Sequence, residues 1–132
     1  SELNYQPAYE LIRKVEFENN DMVLQEKLIA RIRLKGLSEL WGFRESKFYF
    51  NDWTQSNILF AIKKYKVPPI DNLHELLQAS NHSVVLLAVR LMGYYQNFHH
   101  YEVLKNFKAS TKSSKVLNEI NFILKNKRYS RA

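Results

Sequence analysis

The stretch that decides the fold is residues 81–93, NHSVVLLAVRLMG. Its first three positions hold residue types that favour turns and helix N-termini, and the ten positions after them are apolar or small except for Arg90. Ala88 and Gly93 are small enough to let neighbouring helices approach closely. The stretch therefore predicts the most apolar helix of the chain, running from residue 84 to about residue 95.

On both sides of this stretch, apolar residues recur at helical spacing between capping and stop signals. The predicted helices cover residues 7–17, 20–36, 51–65, 73–77, 101–107 and 116–124. Residues 37–50 are predicted to form a short helix followed by an irregular aromatic loop. With only 3 Gly and 3 Pro in the chain, the pattern favours helix over strand, and we predict an all-α protein of about seven or eight helices.

At 132 residues, 45% of them hydrophobic and 25% charged, the chain has the length and composition of one soluble domain with a single core. The absence of cysteine excludes disulfides, thiolate zinc sites and cysteine nucleophiles. We predict one domain over residues 1–132, a piece of a longer protein, with a frayed basic tail at residues 125–132.

The net charge of +7 suggests attraction to an acidic partner, which leaves nucleic acid, an anionic lipid surface and an acidic protein open. The charge is uneven along the chain. The first 21 residues carry five acidic side chains, whereas from Lys105 onward basic side chains outnumber Glu119. The molecule is thus predicted to have an acidic start and a basic end.

Similar early helix positions recur at Val23, Ser56, Val84 and Lys115, at intervals of roughly 30 residues. Helices paired at such a period form stacked repeats, because one helical pair cannot cover its own apolar face. Residues 81–93 resemble the HEAT repeat, with its polar turn, valine, small alanine and later glycine. The resemblance implies a HEAT-like α-solenoid of stacked antiparallel helices. The alternative is an irregular helical bundle with accidental spacing.

A wider resemblance covers about residues 20–110. QEKLIARIRL at residues 25–34, WTQ at 53–55, PPI at 68–70 and SVV at 83–85 are similar to HEAT-repeat proteins of Bacteroidetes. Those proteins usually carry an amino-terminal membrane helix and are often encoded beside glycosyltransferases. The resemblance implies a scaffold attached to a membrane protein, in the cytoplasm at the inner face of the membrane, and it carries no activity over.

No pattern in the chain indicates catalysis, a cofactor or a metal. Gly36, Gly42 and Gly93 stand too far apart for a phosphate-binding loop. We interpret Ser83 and Ser113 as helix N-caps. The histidines are not spaced as metal ligands, and we assign surface or capping roles to them: His74, His82, His99 and His100. The chain is predicted not to be an enzyme.

Two groups of residues are candidates for partner binding. The first lies in the aromatic, basic segment 41–53 and comprises Trp41, Arg44, Lys47 and Trp53. The second would form a basic ridge if the repeats stack regularly, and comprises Lys63, Lys64, Lys66, Lys105 and Lys108. The alternatives are that the aromatic rings fill the core, with Asp52 as a helix cap, and that the lysines belong to solvated helix faces.

These observations favour an interaction scaffold that presents a concave, partly basic surface to a protein partner. A nucleic-acid-binding module using the basic ridge is the alternative. An accessory role in a glycosyltransferase system rests on the resemblance alone. The sequence specifies neither the partner nor the oligomeric state.

Overall fold

The computed structural model describes residues 9–126, with side chains from residue 22 onward. This part of the chain is all-α. It contains α1 (Tyr9–Lys35), a first 3₁₀ helix (Leu37–Phe43), α2 (Asp52–Lys64), a second 3₁₀ helix (Leu73–Gln78), α3 (His82–Tyr95), α4 (Phe98–Lys108) and α5 (Ser114–Lys125). Among these helices, none combines the length and the apolarity that crossing a bilayer requires.

The prediction of two helices before Gly36 is wrong, because α1 runs unbroken from Tyr9 to Lys35. The asparagines and the aspartate at residues 19–21 suggested a new helix start. Those residue types disfavour a helix interior only weakly, and no glycine or proline stands between Pro7 and Gly36 to break the helix. The helix ends where Gly36 adopts a φ of 91° and its N–H donates to the carbonyl of Ile32 at 2.8 Å.

The remaining boundaries are close to the prediction, with small shifts in the capping residues. Asn51 caps α2 by accepting from the Thr54 N–H, so Asp52 is not the cap. Asn81, and not Ser83, caps α3. Helix α4 begins at Phe98 rather than at residue 101, because Asn97 accepts from the His100 N–H. Ser113 caps α5 as predicted.

The described part of the chain ends within residues 125–132, which were predicted to form a frayed basic tail. Lys125 is still the last residue of α5, and Asn126 follows as its C-cap. The basic tail was predicted to begin at Lys125, so its first residue is helical. Residues 127–132 lie outside the described residues.

Side-chain contacts between like ends of neighbouring helices link α1, α2, α3 and α5 in that order. The last turns of α1 and α2 meet where Arg33 stacks on Tyr65. The first turns of α2 and α3 meet where Gln55 donates to the carbonyl of Ser83, and the last turns of α3 and α5 meet at Gly93 and Ile123. We call these four helices the parallel row.

The other helices pack against the parallel row. The first 3₁₀ helix contacts α1, the second contacts α3, and α4 contacts both α3 and α5. Helix α3 is the most buried, since all its residues from Ser83 to Met92 except Arg90 are buried. One apolar core runs from Leu28 in α1 to Ile123 in α5. The apolar stretch around residue 88 is thus the centre of the packed structure.

Hydrogen bonds of the Asn81 and Ser83 side chains connect the aromatic loop to the start of α3. The Asn81 side-chain amide donates to the carbonyls of Phe48 at 2.8 Å and Ser46 at 3.0 Å. Its Oδ1 accepts from the Ser83 N–H at 3.0 Å and from the Ser83 hydroxyl at 2.6 Å. The Ser83 Oγ in turn accepts from the Phe50 N–H at 2.9 Å. These bonds satisfy backbone groups that the irregular loop itself leaves unpaired.

Gln55 adds hydrogen bonds that connect α2 to the same group. It is fully buried, and its amide donates to the carbonyls of Phe50 at 2.8 Å and Ser83 at 3.2 Å. Its carbonyl oxygen accepts from Arg90 at 2.9 Å. One polar chain therefore links the loop, α2 and α3. We call the side chains of Asn81, Ser83, Gln55 and Arg90 the polar chain.

Replacing Ser83 by Ala is expected to lower the free energy of unfolding by about 1–3 kcal/mol, because the buried Phe50 N–H loses its acceptor. Denaturant unfolding followed by circular dichroism measures the change. Ser56→Ala is the matched control, since Ser56 is exposed on α2, and it should change stability by less than about 0.5 kcal/mol. Equal effects of the two substitutions would contradict this role of Ser83.

Gly93→Ala is expected to destabilise the fold although alanine is the better helix former. A Cβ at this position would lie 2.7 Å from Ile123 Cδ1 and 2.8 Å from Cγ1. Overpacking costs about 1–3 kcal/mol, more than the roughly 1 kcal/mol that helix propensity returns.

In an Ile123→Ala background the three obstructing atoms are gone, so Gly93→Ala should become stabilising there. Chemical denaturation of the four proteins of this double-mutant cycle tests the packing. An effect of Gly93→Ala that is the same in both backgrounds would show that the two helices are not in close contact at this point.

Candidate interaction surface

Helix α2 carries two exposed stripes that flank its buried side. One stripe comprises Asp52, Ser56, Leu59 and Lys63, and the other comprises Trp53, Asn57, Phe60 and Lys64. In each stripe the residues follow one another at intervals of three or four, so they share one side of the helix. Each stripe lines a different groove of the parallel row.

The first groove, which we call the α2–α5 groove, lies along α3 and has a volume of about 690 Å³. Besides the first stripe of α2, its lining includes Tyr94, Tyr101, Phe122 and Ile123. Phe122 and Tyr94 are exposed, whereas Tyr101 is buried at the base. The groove thus offers aromatic surface to a bound molecule.

The charges near one end of the α2–α5 groove are already paired. Arg90 lies 3.4 Å from Asp52 and 3.4 Å from Glu119, and Lys115 lies 3.0 Å from Asp52. The hydrogen bond from Lys115, helped by the charges of Lys115 and Arg90, holds the pKa of Asp52 below its usual value. Asp52 is therefore ionised and engaged in ion pairs that connect α2 with α3 and α5.

The second groove, the α1–α2 groove, has a volume of about 320 Å³. From α1 it is lined by Met22, Gln25, Glu26 and Ile29, and from the α2 side by the second stripe with Ala61 and Tyr65. Trp53 and Phe60 are 53% and 64% exposed. Large apolar side chains that remain in water on adjoining helices mark a surface suited to a partner.

Gln25 is one of the residues that line the α1–α2 groove. The residue is only 3% exposed, and its side-chain Oε1 has no hydrogen-bond partner among the residues that the structure describes. A buried acceptor without a donor is unfavourable by about 1–3 kcal/mol. One residue of the groove lining thus carries a buried acceptor that the described residues leave unpaired.

Basic side chains lie close to aromatic rings in both grooves. The Arg33 guanidinium lies 3.9 Å from the centre of the Tyr65 ring and Lys64 lies 5.4 Å from it, while Lys63 lies 5.9 Å from the Tyr94 ring. None of these three cations pairs with a carboxylate of the side chains that the structure describes. Their charges remain available to a partner.

We call the exposed apolar side chains of the two grooves the aromatic face. It comprises Met22, Trp53, Phe60, Tyr65, Tyr94 and Phe122. These are six of the ten large apolar residues exposed among residues 22–126, and all six lie on the parallel row or at its edge. That concentration on one surface makes the aromatic face the candidate functional site.

The structure brings some of the sequence-predicted binding residues to this site and not others. Trp53, Lys63 and Lys64 line the two grooves. Trp41 is half-buried against the core, and the other predicted residues are exposed but line neither groove: Arg44, Lys47, Lys66, Lys105 and Lys108. The lysines of the predicted ridge thus do not share one groove.

The aromatic segment 41–53 divides between core and surface. Phe50 meets both Phe43 and Phe48 edge to face, with ring centres 5.3 Å apart for Phe43 and Phe50 and 4.7 Å apart for Phe48 and Phe50. For these rings the core interpretation is confirmed. Tyr49 and Trp53 are exposed instead.

Sequence reasoning missed most of the aromatic face. Phe60 stands seven residues after Trp53, on the same side of α2, and this spacing was a signal that could have found it. Tyr94, at the end of the helix predicted to be the most apolar, is exposed, whereas Tyr95 is half-buried and donates to the Val67 carbonyl at 2.7 Å. Burial and the coulombic effect of Tyr94 raise the pKa of Tyr95 to about 12.

Three histidines meet away from the two grooves. The rings of His74 and His99 are 5.4 Å apart, and those of His99 and His100 are 6.3 Å apart. His100 is buried, so its predicted surface or capping role is wrong for the side chain. Among the described residues, no group of three or more histidine and acidic side chains is placed to hold a metal ion.

Acidification is expected to destabilise the fold through His100. Burial lowers the pKa of His100, and the neighbouring charges of His99 and His74 lower it further, against a hydrogen bond to the Met92 backbone. The unfolded chain then binds this proton more readily than the folded one. Stability contributed by the neutral ring is complete above the ordinary histidine pKa of about 6.5 and is lost as the pH falls toward the lower folded value.

Urea unfolding between pH 5 and pH 8, compared for the wild type and His100→Gln, tests this dependence. The variant should show a shallower loss of stability below about pH 6.5. His82→Gln, at an exposed position, is the control and should follow the wild type. Parallel pH profiles for the wild type and His100→Gln would contradict the assignment.

Comparison of the chain with known protein families, with curated proteins and with solved structures finds no match. The aromatic face is therefore interpreted from its own geometry.

Proposed function

We propose that this protein is a non-catalytic interaction scaffold of the HEAT-like α-solenoid kind, which binds a protein partner through the aromatic face. The observation that carries the proposal is the gathering of six exposed apolar side chains on the two grooves of one helical row. Exposing them to water is unfavourable, and burying them against a partner would remove that penalty.

The arrangement of the helices supports the solenoid part of the proposal. Each of α2, α3 and α5 follows a shorter helix: the first 3₁₀ helix, the second 3₁₀ helix and α4, respectively. The longer helix of each pair joins the parallel row. Successive pairs that stack in this way are the architecture of helical repeat proteins, whose extended surfaces serve as binding sites.

The residue types of the aromatic face favour protein over nucleic acid as the partner. Trp, Tyr, Phe, Met and Arg are the residues enriched in protein interfaces. A nucleic-acid groove would need several cations to follow a phosphate backbone. The lysines Lys66, Lys105 and Lys108 line neither groove, and Arg90 is engaged by carboxylates.

The location of the protein in the cytoplasm at the inner face of the membrane, attached to a membrane protein, stays a prediction. An accessory role beside glycosyltransferases also stays a prediction. Both predictions rest on the resemblance of residues 20–110 to HEAT-repeat proteins. The aromatic face is compatible with a membrane protein or a glycosyltransferase as the partner.

Capture from a lysate of the source cells tests the function. The wild-type chain and a Trp53→Ser/Phe60→Ser double variant are compared, with Tyr49→Ser as a matched control because Tyr49 is also exposed but lines neither groove. A protein should be retained by the wild type and the control. The double variant should lose it, since each interface aromatic contributes about 2 kcal/mol or more, equivalent to roughly thirtyfold in affinity.

The capture is repeated after nuclease treatment and at low and high salt. Retention of the protein under all of these conditions supports the proposal, because an apolar interface is insensitive to salt. Nuclease-sensitive recovery that falls steeply with salt would overturn it in favour of nucleic-acid binding.

A further inference from the structure

We propose that the α1–α2 groove takes an acidic peptide segment with apolar side chains, bound in an extended conformation. This inference rests on the proposed function and adds the chemistry of the partner. It follows from three features of the groove: the unpartnered acceptor of Gln25, the cations at the Tyr65 end, and the exposed rings of Trp53 and Phe60.

Gln25 determines the conformation of the bound segment. Gln25 lines the groove, and its buried Oε1 accepts no hydrogen bond from the described residues. A helix uses its backbone N–H groups internally, apart from those in its first turn. An extended segment has unpaired N–H groups along its length, so it can supply the donor wherever it crosses Gln25.

The charges determine the composition of the segment. Arg33 and Lys64 flank the Tyr65 ring without carboxylate partners among the described side chains, and Lys63 lies on the neighbouring stripe of α2. Among residues 22–126, Glu26 is the one acidic residue of the groove lining. Carboxylates on the partner would complement the cations at this end.

The length of the groove sets the size of the segment. From Met22 to Arg33 a helix rises by about 16 Å, which an extended chain spans in about five residues. Apolar side chains of the segment would lie on Trp53 and Phe60, with carboxylates near Arg33 and Lys64 toward the end of α2. Side chains alternate in an extended chain, so alternate positions of the segment would face the groove.

Charge argues against a second copy of this chain as the occupant. The chain carries a net charge of +7, so two copies would approach each other as molecules of like charge. Like charges at an interface suppress association. An acidic segment of another protein fits the groove better.

The first experiment selects short random peptides, displayed on phage, against the whole chain. Peptides that also bind the Trp53→Ser/Phe60→Ser variant are removed. We expect the remaining sequences to be rich in Asp and Glu and to carry aromatic or aliphatic residues. The strongest of them is then synthesised, and its affinity for each variant is measured by fluorescence anisotropy.

Charge reversal tests the electrostatic part. Lys64→Glu should weaken binding of this peptide by roughly three- to tenfold at low salt, and less at high salt. Lys105→Glu makes the same change of charge on α4, outside both grooves, and should leave the affinity within about twofold of the wild-type value.

Gln25→Leu tests the acceptor and separates a binding role from a structural one. Removing a buried acceptor without a partner should raise the melting temperature of the free chain and weaken peptide binding by roughly tenfold. Gln78→Leu, at an exposed position on the second 3₁₀ helix, should do neither. A lower melting temperature for Gln25→Leu would show that Gln25 only supports the fold, and would overturn its role in binding.

The outcomes separate this inference from the proposed function. Enriched peptides without acidic residues, whose binding depends on Trp53 and Phe60, would overturn the acidic segment and leave the scaffold function intact. No enrichment, or binding that survives in the double variant, would overturn the acidic segment, and the capture experiment would then decide the proposed function separately. Sedimentation of the chain alone gives a further check, because dimers that Trp53→Ser/Phe60→Ser dissociates would identify a second copy as the occupant and overturn the acidic segment.

Discussion

The structure depends on the polar chain that begins at Asn81. The irregular loop before α2 has carbonyl and N–H groups that no helix or strand can pair, and the side chains of Asn81 and Ser83 pair several of them. Leaving such groups unpaired inside the protein is costly, so the loop has one favourable arrangement. Phe50 is held against the core by the same bonds.

The position of α2 follows from that arrangement. Gln55, in the first turn of α2, bonds to both Phe50 and Ser83, which fixes the start of α2 beside the start of α3. Arg90 then joins Gln55 to Asp52 and Glu119, and so connects α2 with α5. The buried polar groups thus set the register of the parallel row, while apolar burial supplies most of the stabilisation. Two grooves remain, one on each side of α2.

The aromatic face shows how much of a surface can be predicted from one sequence. Trp53 was a candidate for binding because aromatic and basic residues cluster near it, and it does line a groove. Phe60 shares a side of α2 with Trp53, but an apolar residue at helical spacing normally belongs to the core, and Met22 has no such link to Trp53 in the sequence. The two lysines Lys63 and Lys64 are adjacent in sequence, yet a rotation of about 100° per residue directs them into different grooves.

The sequence by itself determined the helical class, the short helix and irregular aromatic loop within residues 37–50, the strongly apolar helix that begins after Asn81 and the close approach at Gly93. Each follows from local pattern, because periodicity, capping and the lack of a side chain act within a few residues. Only the tertiary structure decided that His100 is buried and which rings face water. Those outcomes depend on contacts between residues far apart in the chain, and a helical pattern specifies one buried side without specifying what covers it.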